Sequence, residues 1–364
     1  MENLTARKYV RSRNCSTTQP SEVVQHILIV LNLACAIATM VLNSMICIAV
    51  YRVKSLRKAS NFLLVSLSVA QLLVTGDFVT QIVFLSSENI RYKLCLAMGL
   101  YHYVIAVIII LHLTAVSVDR LLAIQWHLRY SSIVTKRRMM GCVAVLWVSG
   151  LLIPFLHKLY YTNQREETKV FHKFSFGCSH PSVSYKHKWL EKKNITWYEK
   201  QELLHKAQIL MILKVITNLA LPFIIIVICY AIILKTSVKH YKQIKAQNLS
   251  WTRGGEISEI RAAKTIAIII VSFVVCFLPM FVISVMQVYK RPCWGKHPAL
   301  KALVLLSSLA AILNPLIYAG HNREFKEAFR KILNQNKRKN TQLYELPERN
   351  QVKRRNAAEL KNLS

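Results

Sequence analysis

CLAMGLYHYVIAVIIILHLTAVSVDRLLAI, residues Cys95–Ile124, decides how the rest of the chain is read. Its middle is long and apolar enough to cross a bilayer, which takes about 20 residues of helix. Polar residues interrupt it at three places: His102, His112 and the pair Asp119-Arg120. His102 and Arg120 are eighteen positions apart, roughly five turns, so they share one helix face about 27 Å apart. One face thus carries a titratable group near one membrane surface and a fixed cation near the other. That arrangement suits a signal crossing the membrane. The plainer alternative is a helix with a satisfied core histidine and an interfacial arginine.

The chain has 364 residues, is 53% hydrophobic and carries a formal charge of +32. Its mean hydropathy is +0.31. Further long apolar runs surround the first, and the pattern predicts seven spans. They are Val24–Val50, Asn61–Leu85, Leu94–Ile124, Met139–Leu156, Gln208–Leu234, Thr265–Val288 and Pro298–Ala319. Helices are expected, because backbone polar groups in lipid must be satisfied within the segment. The expected fold is an all-α membrane protein, a seven-transmembrane helix bundle.

The charge does not indicate nucleic acid, because the cations are spread over loops between apolar spans. Arg52, Lys54, Arg57 and Lys58 fill the first connection without an acid, and Arg129, Lys136, Arg137 and Arg138 follow Arg120. The tail adds Lys337-Arg338-Lys339 and Lys353-Arg354-Arg355. Positive loops stay inside, which places the C-terminus in the cytoplasm and, with seven spans, the N-terminus outside. The tail clusters either rest near anionic lipid or form a solvated charge run.

The N-terminal 22 residues are polar and charged, so no cleavable signal is expected and the first span acts as its own insertion signal. Asn3, Asn14 and Asn194 head glycan-acceptor triplets on the outer side. Asn248 and Asn362 match equally well and fall inside, so the motif supports the topology only weakly. The expected organisation is an extracellular segment over 1–23, the span domain over 24–319, an amphipathic eighth helix over 320–334 and a disordered basic tail over 335–364.

Individual spans carry further anchors. Asn43 and Gln71 sit among apolar residues, where buried amides usually bond between helices. Pro154, Pro222 and Pro279 each free a carbonyl and make a kink. The seventh span ends Asn314-Pro315-Leu316-Ile317-Tyr318. In NREFKEAFRKIL, Phe325, Phe329 and Leu333 form one apolar stripe, predicting a helix on the membrane surface.

Taken together these features resemble rhodopsin-like G-protein-coupled receptors over about 24–333. Asp119-Arg120-Leu121 stands where the family has Asp-Arg-Tyr, and Asn314 to Tyr318 matches Asn-Pro-x-x-Tyr in full. Cys276-Phe277-Leu278-Pro279 is similar to Cys-Trp-x-Pro, with Phe277 for tryptophan. The resemblance implies a connector of Ile110, Pro222 and Phe273, and a switch group that includes Tyr230, Asn314, Pro315 and Tyr318. It implies that Glu259 pairs with Arg120 at rest and that Leu128 enters a G-protein pocket, His127 standing before it where proline is usual. The implied partners are an extracellular ligand, a heterotrimeric G-protein, arrestin and membrane lipid, with no cofactor and no metal. The cytoplasmic segments resemble those of amine and adenosine receptors.

Departures from the family pattern narrow the ligand. Its sodium-binding aspartate is Gln71 here, with Ile109 and Ala311 at the partner positions, so no sodium site is expected. The amine-binding aspartate is His102, the opsin lysine falls at Ser308, and the adenosine pocket's asparagine is Ser284. The resemblance pairs Cys95 with Cys178. Cys15 and Cys293 then remain outside, where oxidising conditions favour a second bridge. Cys35, Cys47, Cys142, Cys229 and Cys276 fall in spans and read as small apolar packing residues.

Asp77, His102 and Lys214 lie about two turns inside their helices. A mid-helix charge costs roughly 2.5–3.5 kcal/mol, so they should face the interior. Lys214 and Asn218 are i, i+4 and share a face. Either these residues form a basic ligand pocket, with Phe277, Phe281, Ser284 and Ser308 completing its lining, or Asp77 pairs with Lys214 or His102. No nucleophile–base pair or metal spacing stands out, so no enzyme is expected. A proton-coupled seven-helix transporter or a non-signalling receptor-like scaffold are the rival classes. No inverted repeat supports the transporter.

Overall fold

The structure is a computed structural model. It describes residues 21–86, 92–126, 128–163, 215–246, 298–321 and 324–332, with isolated positions at 205–213, 268–279 and 334. Its long elements are α1 (Glu22–Arg52), α2 (Ala59–Ser86), α3 (Tyr92–Gln125), α4 (Lys136–Asn163) and α5 (Leu221–Ala246), followed by α6 (Pro298–Ser308) and α7 (Ala310–His321). Five helices among the described residues are long and apolar enough to cross a membrane, and Leu305–Ile317 is a shorter apolar one. The described part of the expected sixth span, including Ile268, Ser272, Cys276 and Pro279, is helical. The rest of that span lies outside the described residues.

The helices overrun the expected spans at their ends. α4 begins at Lys136 rather than Met139 and runs to Asn163 rather than Leu156. Hydrogen bonding continues past the hydrocarbon, and lysine and arginine reach water from the helix ends. α5 likewise extends to Ala246.

Short connections are held by specific bonds. Between α1 and α2 a single 3-10 turn, Lys54–Leu56, buries Leu56 completely. Asn61 Nδ2 donates to the Leu56 carbonyl at 2.8 Å, satisfying an acceptor that so short a connection would otherwise leave open. After α3, a short helix at Tyr130–Ile133 is capped by Arg138, whose Nη1 reaches the carbonyls of Ser132 (3.3 Å) and Ile133 (3.1 Å). A cation on terminal carbonyls is the favourable end of the helix dipole.

Two of the spans are not continuous α-helices: the fifth departs next to Pro222, where a kink was expected, and the seventh breaks where none was. Ile216–Ala220 forms a π-helical turn, closed by Leu221 N–H to the Ile216 carbonyl. Pro222 follows immediately. Proline cannot donate and its ring crowds the carbonyl four residues back, and the wider turn relieves that crowding. The seventh span breaks at Leu309, whose N–H is shared between the carbonyls of Leu305 (3.1 Å) and Leu306 (3.2 Å). Further along, Pro315 removes the bond to the Ala311 carbonyl. Asn43 Nδ2 of α1 takes that acceptor at 3.0 Å, while also donating to Thr39 O at 2.9 Å. A buried amide thus repairs the proline's lost bond and ties α1 to α7.

The core runs through α1, α2, α3 and α5. Leu63, Leu64, Leu67, Phe78, Ile108 and Ile233 are at most 2% exposed. α4 is peripheral, with Val145, Val148, Leu152 and Phe155 facing outward, as lipid contact requires. Gly150 lets it approach, because a Cβ there would run into Ile108. Residues 324–332 form the expected amphipathic helix, but its buried stripe is Phe325, Ala328 and Ile332, with Phe329 half-buried. Phe325 is 0% exposed, so this helix packs on the bundle rather than resting on lipid alone. Lys58 Nζ meets Glu324 Oε1 at 2.6 Å and fixes its start to the first connection.

Candidate functional site

The outer half of the bundle brings several of the expected ligand residues together. Asp77 on α2 is buried, and its Oδ2 lies 3.2 Å from His102 Nδ1 on α3, whose side chain is 35% exposed. Of the two pairings left open by the sequence, the structure shows this one. Beside it the Tyr101 hydroxyl donates to the Leu73 carbonyl, crossing α2 at Gly76. A Cβ at position 76 would lie 2.8 Å from Tyr101 Cζ, so any larger residue requires the Tyr101 ring to shift.

Asn218 sits in the π turn and is buried. Its Nδ2 donates to Tyr103 Oη at 3.1 Å, and that oxygen lies 2.7 Å from His157 Nδ1 on α4. The Tyr103 and His157 rings stack at 6.1 Å. Sequence reasoning missed Tyr103 and His157; the available signals were the aromatic beside His102 and the histidine one turn beyond Pro154. Ser308 is buried at the end of α6. Lys214, Phe277, Phe281 and Ser284 lie outside the described residues.

In mid-membrane the structure exposes a network that the sequence did not assign. His112 is 0% exposed. Its Nδ1 lies 2.8 Å from the Ile108 carbonyl, which can only accept, so that nitrogen carries the proton. Nε2 is then the acceptor for Ser66 Oγ at 2.9 Å, and Trp147 Nε1 donates to the same Ser66 oxygen at 2.9 Å. The Trp147 and His112 rings meet edge-on at 5.7 Å. A neutral histidine thus satisfies every member across α2, α3 and α4.

Gln71 is 1% exposed, and its Nε2 has no partner among the described residues. Ile109 and Ala311 are buried. The side chain where the family places its sodium-binding carboxylate is therefore a neutral amide with a donor to spare.

At the far end of α3, Asp119 is buried and accepts from Tyr130 Oη at 2.6 Å. Arg120 Nε lies 3.7 Å from the other Asp119 oxygen. Burial, then the bond to Asp119 and its charge, push the Tyr130 phenol up to about 12. Tyr230 is buried beside Ser117 and Arg120, and Gln125 Nε2 donates to Thr236 at 3.0 Å. Leu128 projects outward, 84% exposed. Ile110 and Pro222 are buried, as is Pro315. Asn314 Nδ2 has no partner among the described residues.

Phe273, Glu259, Cys15, Cys178, Cys293, Asn3, Asn14 and Asn194 are outside the described residues. Cys95 and Tyr318 are placed on α3 and α7, with their side chains undescribed. Cys35, Cys47, Cys142, Cys229 and Cys276 are free thiols.

Comparison with known proteins agrees with this architecture. Residues 42–318 match the model of the 7 transmembrane receptor (rhodopsin family). The chain is 27% identical over 311 residues to adenosine receptor A2a of Canis lupus familiaris, covering 84% of this chain and 71% of that one. It is 29% identical to adenosine receptor A2b of Gallus gallus, covering 84% and 87%. Against A2b of Bos taurus the identity is 29%, covering 86% and 91%. The chain belongs to the rhodopsin family of seven-transmembrane receptors, and is therefore a multi-pass plasma-membrane protein that couples an extracellular ligand to a G-protein and not an enzyme.

Proposed function

We propose that this receptor answers a ligand carrying a carboxylate or similar acid, a small molecule or a peptide with a free C-terminus. The observation that carries the reading is that Asp77, the contrary charge in the outer halves of the spans, is already taken up by His102 at 3.2 Å, so it is not held open for an amine. The contact puts a partly exposed imidazole in the outer bundle where amine receptors of this family have an acid. Lys214, one turn before Asn218, supplies the cation, and Lys173, Lys186, Lys188, Lys290, Arg291 and Lys296 add a positive field that steers anions inward. Phe277, Phe281, Ser284 and Ser308 complete the lining. The N-terminal segment, its glycans at Asn3, Asn14 and Asn194, and the bridges Cys95–Cys178 and Cys15–Cys293 face outside; the basic tail faces the cytoplasm, near anionic lipid.

Binding opens the cytoplasmic end. Arg120 and Glu259 hold the third and sixth spans together at rest, and the connector Ile110, Pro222 and Phe273 passes the change inward. A bias of a few kcal/mol between two states suffices. Asn314, Pro315, Tyr318 and Tyr230 move with it, Leu128 meets the G-protein, and arrestin is a further partner of the same face. The adenosine named by the relatives is the second reading, favoured by the neutral polar group of Asn218, Tyr103 and His157.

The test is G-protein activation in receptor-expressing cells given small acids, peptides, adenosine and monoamines. An acidic agonist should lose about tenfold or more in potency on Lys214→Ala, the scale of a lost charge-assisted bond. Esterifying its acid should cause a similar loss, and the two should not add. A monoamine agonist indifferent to Lys214 refutes the reading.

A further inference from the structure

Three buried polar atoms in the outer bundle have no partner among the described residues: Asn32 Oδ1, Asp77 Oδ1 and Gln81 Nε2. Asn32 is 1% and Asp77 4% exposed. A buried polar group left unbonded carries its full desolvation penalty. Together they mark the outer ends of these helices as a place where an added polar group would find partners.

The register of α1 against α2 places Asn32 and Asp77 at one level, with Gln81 one turn nearer the helix end. Gln25 Nε2 donates to the Leu85 carbonyl where the two antiparallel helices begin and end. Asn32 is two turns inward from Gln25, and Asp77 about two turns inward from Leu85. Both therefore lie about 10 Å below that contact. Gln81 is one turn above Asp77 on the same face of α2. Asp77's second oxygen faces His102, which brings α3 to the same level. The other Asn32 atom is used within its own helix, Nδ2 donating to Leu28 O at 2.7 Å.

The atoms present two acceptors and one donor. A primary carboxamide presents the complement, two N–H bonds and one carbonyl. We propose that the outer ends of α1, α2 and α3 form a ligand subsite for a primary carboxamide. Asp77 Oδ1 and Asn32 Oδ1 accept its N–H bonds, and Gln81 Nε2 donates to its carbonyl. Other groups fit worse. A carboxylate sets acid against two acceptors. An amidinium satisfies the acceptors but offers nothing to Gln81, and Asp77 already has His102 beside it as a counter-group. The subsite rests on the reading that the outer halves of the spans hold the ligand, and it adds a neutral group to the acid assigned to Lys214.

The experiment uses the full-length receptor in lipid nanodiscs and ligand-observed saturation-transfer NMR. The probes are benzamide, benzoate and benzamidinium. Benzamide should bind saturably at on the order of 1 mM, as a fragment of its size does. Gln81→Met and Asn32→Leu should each weaken it about tenfold or more. Gln81→Met removes no existing bond, so its unfolding temperature without probe should match or exceed that of the wild type, which separates loss of the site from loss of the fold. The subsite is overturned if benzamide does not bind, if it binds both variants as well as wild type, or if benzamidinium binds more tightly. The benzoate arm keeps the two readings apart. Loss of benzoate on Lys214→Ala with benzamide intact supports both, whereas benzoate indifferent to Lys214 with benzamide lost in Gln81→Met removes the acid reading and leaves the subsite standing.

Discussion

Tyr130 donates to Asp119 across 2.6 Å, tying the connection between α3 and α4 to the end of α3. The bond occupies one oxygen of the carboxylate beside Arg120. Asp119 is thereby shared between a loop tyrosine and the neighbouring cation, Arg120.

Tyr130→Phe should release that loop. A hydrogen bond to a charged acceptor contributes about 1.5–3 kcal/mol, and partial exposure puts this one at the low end. The unfolding temperature of the purified receptor should fall by about 2–4 °C. The pH dependence has a definite sign. The phenol holds its proton more tightly folded (about 12) than at its ordinary value of 10.0, so the bond's contribution is complete below pH 10 and disappears as pH rises through 12. Ultraviolet titration of wild type against Tyr130→Phe should show the missing phenolate at the top of that range. If the difference titrates near 10, the bond does not form in solution.

The Ser66–His112–Trp147 network should behave as one unit. Ser66→Ala strands both the Trp147 N–H and His112 Nε2, each at a cost of about 1–3 kcal/mol. His112→Leu strands only the Ser66 hydroxyl and should cost less. Thermal unfolding of both single variants and the double variant checks this. Strict additivity of the losses would show that the three side chains do not communicate.

Gly76→Ala should displace the Tyr101 ring, since the new Cβ lies 2.8 Å from Cζ. Crowding of this kind costs about 1–3 kcal/mol and removes the Tyr101–Leu73 bond between α2 and α3. The double variant Gly76→Ala/Tyr101→Ala should be less destabilised than the sum of its parts. An unchanged unfolding temperature in Gly76→Ala would contradict the close approach.

Sodium should not act on this receptor as an ion. Gln71 offers an amide donor, and Ile109 and Ala311 offer no oxygen from their side chains. Agonist affinity measured in sodium chloride and in equal potassium chloride should coincide. A sodium-specific shift would place the cation elsewhere in the bundle.

Hydropathy alone disclosed the spans, because lipid leaves a chain few ways to satisfy its backbone. It was silent on hydrogen-bond register, so the break at Leu309 and the π turn at Ile216–Ala220 were invisible. The buried amide at Asn43 was foreseen as an interhelical donor. Its acceptor, the Ala311 carbonyl freed by Pro315, lies 268 positions away and no local pattern predicts it. Tyr103 and His157 escaped notice for the same reason, since their contact joins two helices and neither residue is unusual on its own. The sequence stripe is Phe325, Phe329 and Leu333, of which Leu333 lies outside the described residues. Ala328 and Ile332 are buried as well, because a helix docked on protein turns a broader face inward than two turns of exact spacing reveal.

The π turn before Pro222 also acts as a phase setting. One extra residue in a helix rotates everything beyond it by about 100°. Deleting a single residue from Ile216–Ala220 would leave composition and hydropathy almost untouched. It would nevertheless swing the part of the span before it, Leu213 and Val215 included, about a quarter-turn around its axis, exchanging residues that face lipid for residues that face the bundle. An insertion elsewhere in the same segment could restore the angle. Length in this segment is therefore under tighter physical constraint than residue identity, and paired deletions and insertions should tolerate one another where neither is tolerated alone.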